Sequence, residues 1–183
     1  MNHDRSFAAL SRASIQTLRA SRIREVANAG MGRADVLPFW FGEPDEVTPE
    51  FIRDVAKKSL DAGETFYTQN FGLPALRETL AAYSSGLHRP TQSNNIALTS
   101  SGVSGLMLTA QLLLNPGDRV VIVTPLWPNL VEIPKILSAE VVTVSLQLNT
   151  KKNDPEWELD LDELLDALTP DTQALLLNSP NNP

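Results

Sequence analysis

The sequence predicts an α/β fold, a three-layer α/β/α arrangement in which helices cover both faces of a mostly parallel sheet. Two observations carry this. Short continuous apolar runs at residues 120–123, 141–146 and 174–177 read as strands buried on both faces, because a half-solvated strand would alternate polar with apolar. Helical patterns at residues 129–137 and 161–168 separate those runs, which is the order that a parallel sheet with crossover helices requires.

The bulk composition narrows the function. A length of 183 residues suits one domain of ordinary size, and 42% hydrophobic with 20% charged residues is the composition of a globular protein. The formal charge of -7 argues against nucleic acid or an anionic membrane as the main partner. Absence of cysteine excludes disulfides, thiolate metal sites and a cysteine nucleophile. His3 and His88 lie far apart in sequence, so neither a histidine-based metal site nor a Ser-His-Asp triad is expected. No apolar run reaches the roughly 18 residues of a membrane span.

From the N-terminus, Arg5, Arg12, Arg19, Arg22 and Arg24 with several serines resemble an organelle transit segment. Ile15, Leu18, Ile23 and Val26 share one apolar face, however, and the pattern continues to Gly30. The expectation is one helix of the mature protein and a cytoplasmic location. Residues 35–41 then read as extended and apolar, running into the turn Gly42-Glu43-Pro44-Asp45. Thr48-Pro49-Glu50 opens a helix with Thr48 as N-cap, Phe51, Ile52, Val55, Ala56 and Leu60 buried, and Gly63 ending it. Thr65-Phe66-Tyr67-Thr68-Gln69-Asn70-Phe71-Gly72 is a second break, after which Leu73-Pro74 starts a helix with Leu76, Leu80 and Tyr83 at helical spacing.

Residues 96–99 read as a buried strand turning sharply through Ser100-Ser101-Gly102 into a buried helix over Leu106, Met107, Leu108, Ala110 and Leu112 to Leu114. A helix start presents unpaired backbone N–H groups and the positive end of the helix dipole, and small residues let an anion approach closely. An ordinary capped helix explains the same residues, so both readings stand at this stretch. Asn115-Pro116-Gly117-Asp118 stops the helix. Beyond the three apolar runs, Pro134 is expected to bend its helix and residues 149–158 to form a charged loop. The strand ends carry Ser100-Ser101-Gly102, Thr124-Pro125-Leu126-Trp127 and Asn178-Ser179-Pro180-Asn181-Asn182. Ligands of such sheets sit beyond the carboxyl ends of the strands.

Six motifs in order, Gly42-Glu43-Pro44-Asp45, Thr48-Pro49, Thr65-Phe66-Tyr67-Thr68, Gly72-Leu73-Pro74-Ala75-Leu76-Arg77, Asn115-Pro116-Gly117-Asp118 and Asn178-Ser179-Pro180-Asn181-Asn182-Pro183, resemble the class I/II aminotransferases. The resemblance runs from about residue 21 to the last residue. It implies the fold type I of enzymes that use pyridoxal 5′-phosphate (PLP). It also implies amino-group transfer between an amino acid and a 2-oxo acid, and a homodimer. Residue by residue it implies that Ser101, Gly102 and Val103 form the phosphate cup and that Trp127 stacks on the cofactor ring. Asn182 would donate to the phenolic oxygen, and Tyr67 would reach the phosphate of the neighbouring subunit. Gly42 would leave room beside the substrate carboxylate. Each has a plainer reading: Trp127 as a core aromatic, Tyr67 as interface packing, Asn182 and Gly42 as turn residues, Ser101 as a cap. Arg77 and Arg119 read as solvated charges.

Departures touch substrate preference more than cofactor: Glu46 stands where an aromatic is frequent, and Leu126 and Leu130 where tyrosines are. The Schiff-base lysine that the resemblance requires is not matched by Lys57, Lys58, Lys135, Lys151 or Lys152. The expectation is therefore the first part of an aminotransferase, inactive alone. Residues 1–47 would be an arm and small-domain segment, and residues 48–183 the first part of the large PLP-binding domain. The alternatives are another fold-type-I chemistry (C–S lyase or decarboxylase), or a non-catalytic half-protein that binds phosphate or a partner subunit.

Overall fold

The computed structural model describes residues 10–18, 20–150 and 154–181. They divide into two compact units, one of the residues up to Ser21 together with those from Ser101 onward, the other Arg22–Ser100.

The sheet unit holds α1 (Ala13–Gln16), α5 (Gly102–Leu113), β1 (Arg119–Thr124), α6 (Asn129–Ile136), β2 (Glu140–Ser145), β3 (Gln147–Asn149), β4 (Glu156–Glu158), α7 (Leu161–Ala167) and β5 (Thr172–Leu176). β1 lies between β2 and β5 and pairs with both in parallel, with Val121 opposite Val142 and Leu175. The parallel sheet expected from the three apolar runs is thus present. Its centre is the most buried part of the molecule, with Val121 and Ile122 at 0% exposure.

Successive β1 residues serve opposite faces. Val120 and Ile122 pack with Leu126 and Leu130 against Leu106 and Leu114 of the α5 side, whereas Val121 packs with Val144 against Leu164 of α7. Burying each of these side chains is worth about 1.5–3 kcal/mol, so β1 is covered on both faces; the strand expected to be buried at 174–177 is not, with Leu175 39% and Leu177 60% exposed. Asp160 caps α7, accepting from the N–H groups of Asp162 (3.0 Å) and Glu163 (3.1 Å). Pro134 sits inside α6, buried. α1 is tied to the same unit by the Ser14 hydroxyl, which donates to the Ile136 carbonyl at 3.2 Å.

The second unit contains α2 (Arg22–Gly30), α3 (Glu50–Asp61), α4 (Pro74–Leu87) and a 3₁₀ turn, Ser93–Asn95. Trp40 packs back on α2 so closely that a Cβ at Gly30 would lie 2.7 Å from its Cζ3. The Arg24 guanidinium stacks over the Phe41 ring at 4.7 Å.

Several expectations are corrected. The single helix expected through Ile15 to Gly30 is two helices, α1 and α2. Thr17 hydrogen-bonds back to the Ser14 carbonyl at 3.2 Å, the local competition by which hydroxyl residues interrupt helices. Pro49, not Thr48, is the N-cap of α3, and no side chain caps it. Phe51, Ile52, Val55 and Leu60 on that helix are exposed rather than buried, because an apolar stripe specifies the need for a partner and not its identity. On α5, Leu106 and Leu114 pack against the core, but Leu108, Leu112 and Leu113 are exposed. Residues 96–99, expected as a strand, join no strand ladder among the described residues, although Ile96 is extended. The charged loop at 149–158 contains an antiparallel hairpin, β3 with β4, in which Leu148 faces Trp157. Charge masked its short alternation. Gly63 does end α3, at φ 73°.

Candidate functional site

The turn after α5 sets the geometry. Asn115 N–H donates to the Asp118 carboxylate at 2.7 Å, Gly117 adopts φ 89°, and Gly117 N–H reaches the Ser138 carbonyl at 2.8 Å. The chain therefore reverses within five residues. α5, with 12 residues, rises about 18 Å, and the six residues of β1 span about 20 Å.

Ser101 is the N-cap of α5. Its hydroxyl accepts from Ser104 N–H at 3.1 Å and lies 3.0 Å from the Ser104 hydroxyl. The capped-helix reading of this residue is correct. The helix ladder starts with Gly105 N–H on the Ser101 carbonyl at 3.1 Å, so the ladder supplies no acceptor for the N–H groups of Gly102 and Val103. A Cβ added at Gly102 would meet nothing within 4 Å, and Val103 is 38% exposed. Two backbone donors, the positive dipole end and open space suit an anion of phosphate size.

Trp127 is half-buried and packs against the cluster of Val120, Ile122, Leu126 and Leu130. Its carbonyl accepts from Leu130 N–H at 3.0 Å as α6 begins. Behind it, Leu146 N–H bonds the Thr124 carbonyl at 2.6 Å, and the Thr124 and Ser145 hydroxyls lie 3.3 Å apart. Beyond β5, the Asn181 amide donates to the Pro125 carbonyl at 2.8 Å, and the Asn178 amide donates to Asn181 at 3.2 Å. Leu106 of α5 and Trp127 pack on the same cluster of Val120, Ile122, Leu126 and Leu130, and Asn181 ties the mouth of β5 to Pro125, two residues before Trp127. Asn182 lies outside the described residues.

Tyr67 and Gly42 belong to the other unit. Tyr67 is fully exposed. Gly42 is exposed, with nothing within 4 Å of an added Cβ.

The family comparison decides the class: the model for the aminotransferase class I and II family matches residues 34–183. The chain belongs to the class I and II aminotransferase family. It is 32% identical over 167 residues to the aspartate aminotransferase of Pyrococcus horikoshii, covering 91% of this chain and 41% of that protein. With the Geobacillus stearothermophilus aspartate aminotransferase it shares 37% identity over 154 residues, 81% of this chain and 37% of the relative. The crystal structure of the Thermotoga maritima aspartate aminotransferase superposes with a TM-score of 0.83 at 28% identity, covering 94% of this chain and 46% of that one. The chain spans about two-fifths of the length of the relatives it matches. Its fold is therefore that of the fold-type-I aminotransferases, a partial large domain with an open sheet, and relatives in this family are PLP enzymes.

Two side chains were misjudged from sequence. Arg77, expected to be a solvated charge, is part-buried and donates to the carbonyls of Ile96 (2.8 Å) and Ser93 (2.7 Å). Arg119 pairs with Glu140 at 3.1 Å and donates to the Ala167 carbonyl at 3.3 Å. Its buried Nε has no partner among the described residues. Asn181 was overlooked beside Asn182, although the string Asn178-Ser179-Pro180-Asn181 already offered two amides at turn spacing. Among the described residues no helix is long and apolar enough to cross a membrane.

Proposed function

We propose that the complete protein is a PLP-dependent aminotransferase of the cytoplasm, moving an amino group between an amino acid and a 2-oxo acid. The observation that carries this reading is the open first turn of α5, with Ser101 as its cap, in a chain of this family. The names of the relatives favour a dicarboxylic amino acid such as aspartate as donor. Residues 1–47 form the arm and small-domain segment in this reading, and residues 48–183 the first part of the large PLP-binding domain.

When bound, PLP supplies the electron sink that stabilises negative charge at the substrate α-carbon. The chain's residues hold and orient it. The N–H groups of Gly102 and Val103 with the Ser101 hydroxyl grip the phosphate, helped by the dipole of α5. Trp127 stacks on the ring, an offset contact worth about 0.5–1.5 kcal/mol beyond burial. Asn182 donates a hydrogen bond to the phenolic oxygen and favours its ionised form. Tyr67 reaches the phosphate held by the second subunit of a homodimer, and Gly42 leaves space for the substrate carboxylate. Lys57 and Lys135 are engaged by Asp54 and Glu132, and Lys58 lies in the last turn of α3. The lysine that bonds the cofactor is assigned outside these 183 residues, and residues 1–183 are inactive alone.

The test uses the full chain as expressed from its gene, reconstituted with PLP and given aspartate and 2-oxoglutarate. Glutamate formation that falls at least tenfold in Trp127→Ala supports the reading. No amino transfer from aspartate or any other proteinogenic amino acid sinks it.

A further inference from the structure

The phosphate cup is reached through a stretch that joins no strand ladder among the described residues. Residues 96–99 join no strand among the described residues and lead through Ser100 into Ser101. A segment of this kind needs another way to hold its register. The Arg77 side chain supplies one. From α4 its Nε–H donates to the Ile96 carbonyl at 2.8 Å and one terminal N–H group donates to the Ser93 carbonyl at 2.7 Å. Its guanidinium carbon also lies 5.6 Å from the centroid of the Phe71 ring. Next to that ring, Leu98 N–H donates to the Phe71 carbonyl at 3.1 Å, and Gly72 (φ 98°) meets the Leu98 side chain so tightly that a Cβ would lie 2.4 Å from Cδ1. One guanidinium therefore joins three pieces of backbone: α4, the Ser93–Asn95 turn with residues 96–98, and the loop that carries Tyr67 four residues before Phe71.

We infer that Arg77 is a positioning residue for the phosphate site, fixing residues 93–98, and hence the approach to Ser101, against the loop that bears Tyr67. The inference rests on the cofactor reading above. Arg77 itself touches no reacting atom. Its fork geometry matters because a planar guanidinium can serve two carbonyls and a ring face at once, which an ammonium cannot. Charge-assisted hydrogen bonds of this kind are among the stronger ones available to a part-buried arginine.

The experiment compares the full expressed chain with Arg77→Lys, Arg77→Gln and, as a surface control, Arg53→Gln, which is exposed on α3. Two readouts are taken. The first is amide hydrogen exchange at Leu98 relative to Ala81 in the body of α4. The second is the ratio of affinities for pyridoxal 5′-phosphate and for pyridoxal, which isolates the phosphate. Both Arg77 variants are expected to speed exchange at Leu98 by about tenfold or more while Ala81 changes less than about twofold. They are also expected to lower the phosphate preference by about tenfold, as residues 93–98 and the approach to Ser101 lose their anchor. A merely destabilising substitution would weaken both ligands alike and leave the ratio unchanged. A wild-type chain that binds both ligands equally overturns the cofactor reading, and this inference with it. A wild-type preference that survives intact in both Arg77 variants overturns the inference alone. Failure of Arg77→Gln to fold leaves Arg77→Lys to decide.

Discussion

Replacing Gly72 by alanine tests the close contact between the Tyr67 loop and the segment that leads to the cup. Gly72 sits at φ 98°, where a Cβ costs roughly 1–2 kcal/mol in backbone strain. The added Cβ would also lie 2.4, 2.6 and 2.7 Å from Cδ1, Cγ and Cβ of Leu98, against a normal carbon–carbon contact of about 3.5–4.0 Å. Rotating the Leu98 side chain relieves the first contact but not the last, since Cβ is fixed to the backbone. That backbone is held by the 3.1 Å bond from Leu98 N–H to Phe71. Overpacking of this order costs about 1–3 kcal/mol, so the sum is about 2–5 kcal/mol. Because the chain divides into two units, one melting curve need not report this loss. The appropriate measurement is the opening free energy of α4 amides by hydrogen exchange, with a denaturant midpoint alongside. Gly42→Ala is the matched control: its Cβ meets nothing within 4 Å, so its stability should stay within about 0.5 kcal/mol of wild type. A Gly72→Ala chain equally unperturbed would refute the reasoning.

Gly42→Ala should nevertheless raise the KM for the amino acid in the complete enzyme if the missing side chain leaves room for the substrate; an unchanged KM removes Gly42 from the site. Ile122→Ala, at 0% exposure in the centre of β1, should cost about 2–5 kcal/mol by guanidinium unfolding, and a loss below about 1 kcal/mol would mean the sheet centre is not the core. Asp160→Ala removes an acceptor for two N–H groups at the start of α7 and should cost about 1 kcal/mol; no loss in a denaturant titration counts against the cap. The Thr169 hydroxyl donates to Asp171 at 2.5 Å and holds its carboxyl below the ordinary range. A lowered folded-state value means that this contribution is complete above the unfolded pKa of about 3.9 and fades as pH falls through the lower folded one. A carboxyl NMR titration that places Asp171 at or above the ordinary value would contradict the contact.

The strands of the sheet were legible because burial on both faces leaves an unbroken apolar run, as at residues 120–123. Their parallel pairing followed from the intervening helices. Gly63 and the Asn115-Pro116-Gly117-Asp118 turn were legible for the same local reason, since only certain residues accept those backbone angles. What escaped was whatever depends on a partner distant in the chain. The apolar positions of α3 marked a face without saying what lies against it. The apolar run at 96–98 resembles a strand although it joins no ladder among the described residues. Arg77 looked like one more surface charge until Ile96 and Ser93, 19 and 16 residues away, were seen at its tip. Around the candidate site, the cap at Ser101 could be read from its neighbours, but the Asn181–Pro125 bond spans 56 residues and left no local trace.

Val121 and Ile122 are adjacent in the chain but belong to different packing clusters. The central strand is thus a partition with separately furnished rooms on either side. Pairs of substitutions drawn from opposite sides and more than about 7–10 Å apart should behave nearly additively. The α7 side can thus be repacked with little effect on the side that supports Trp127.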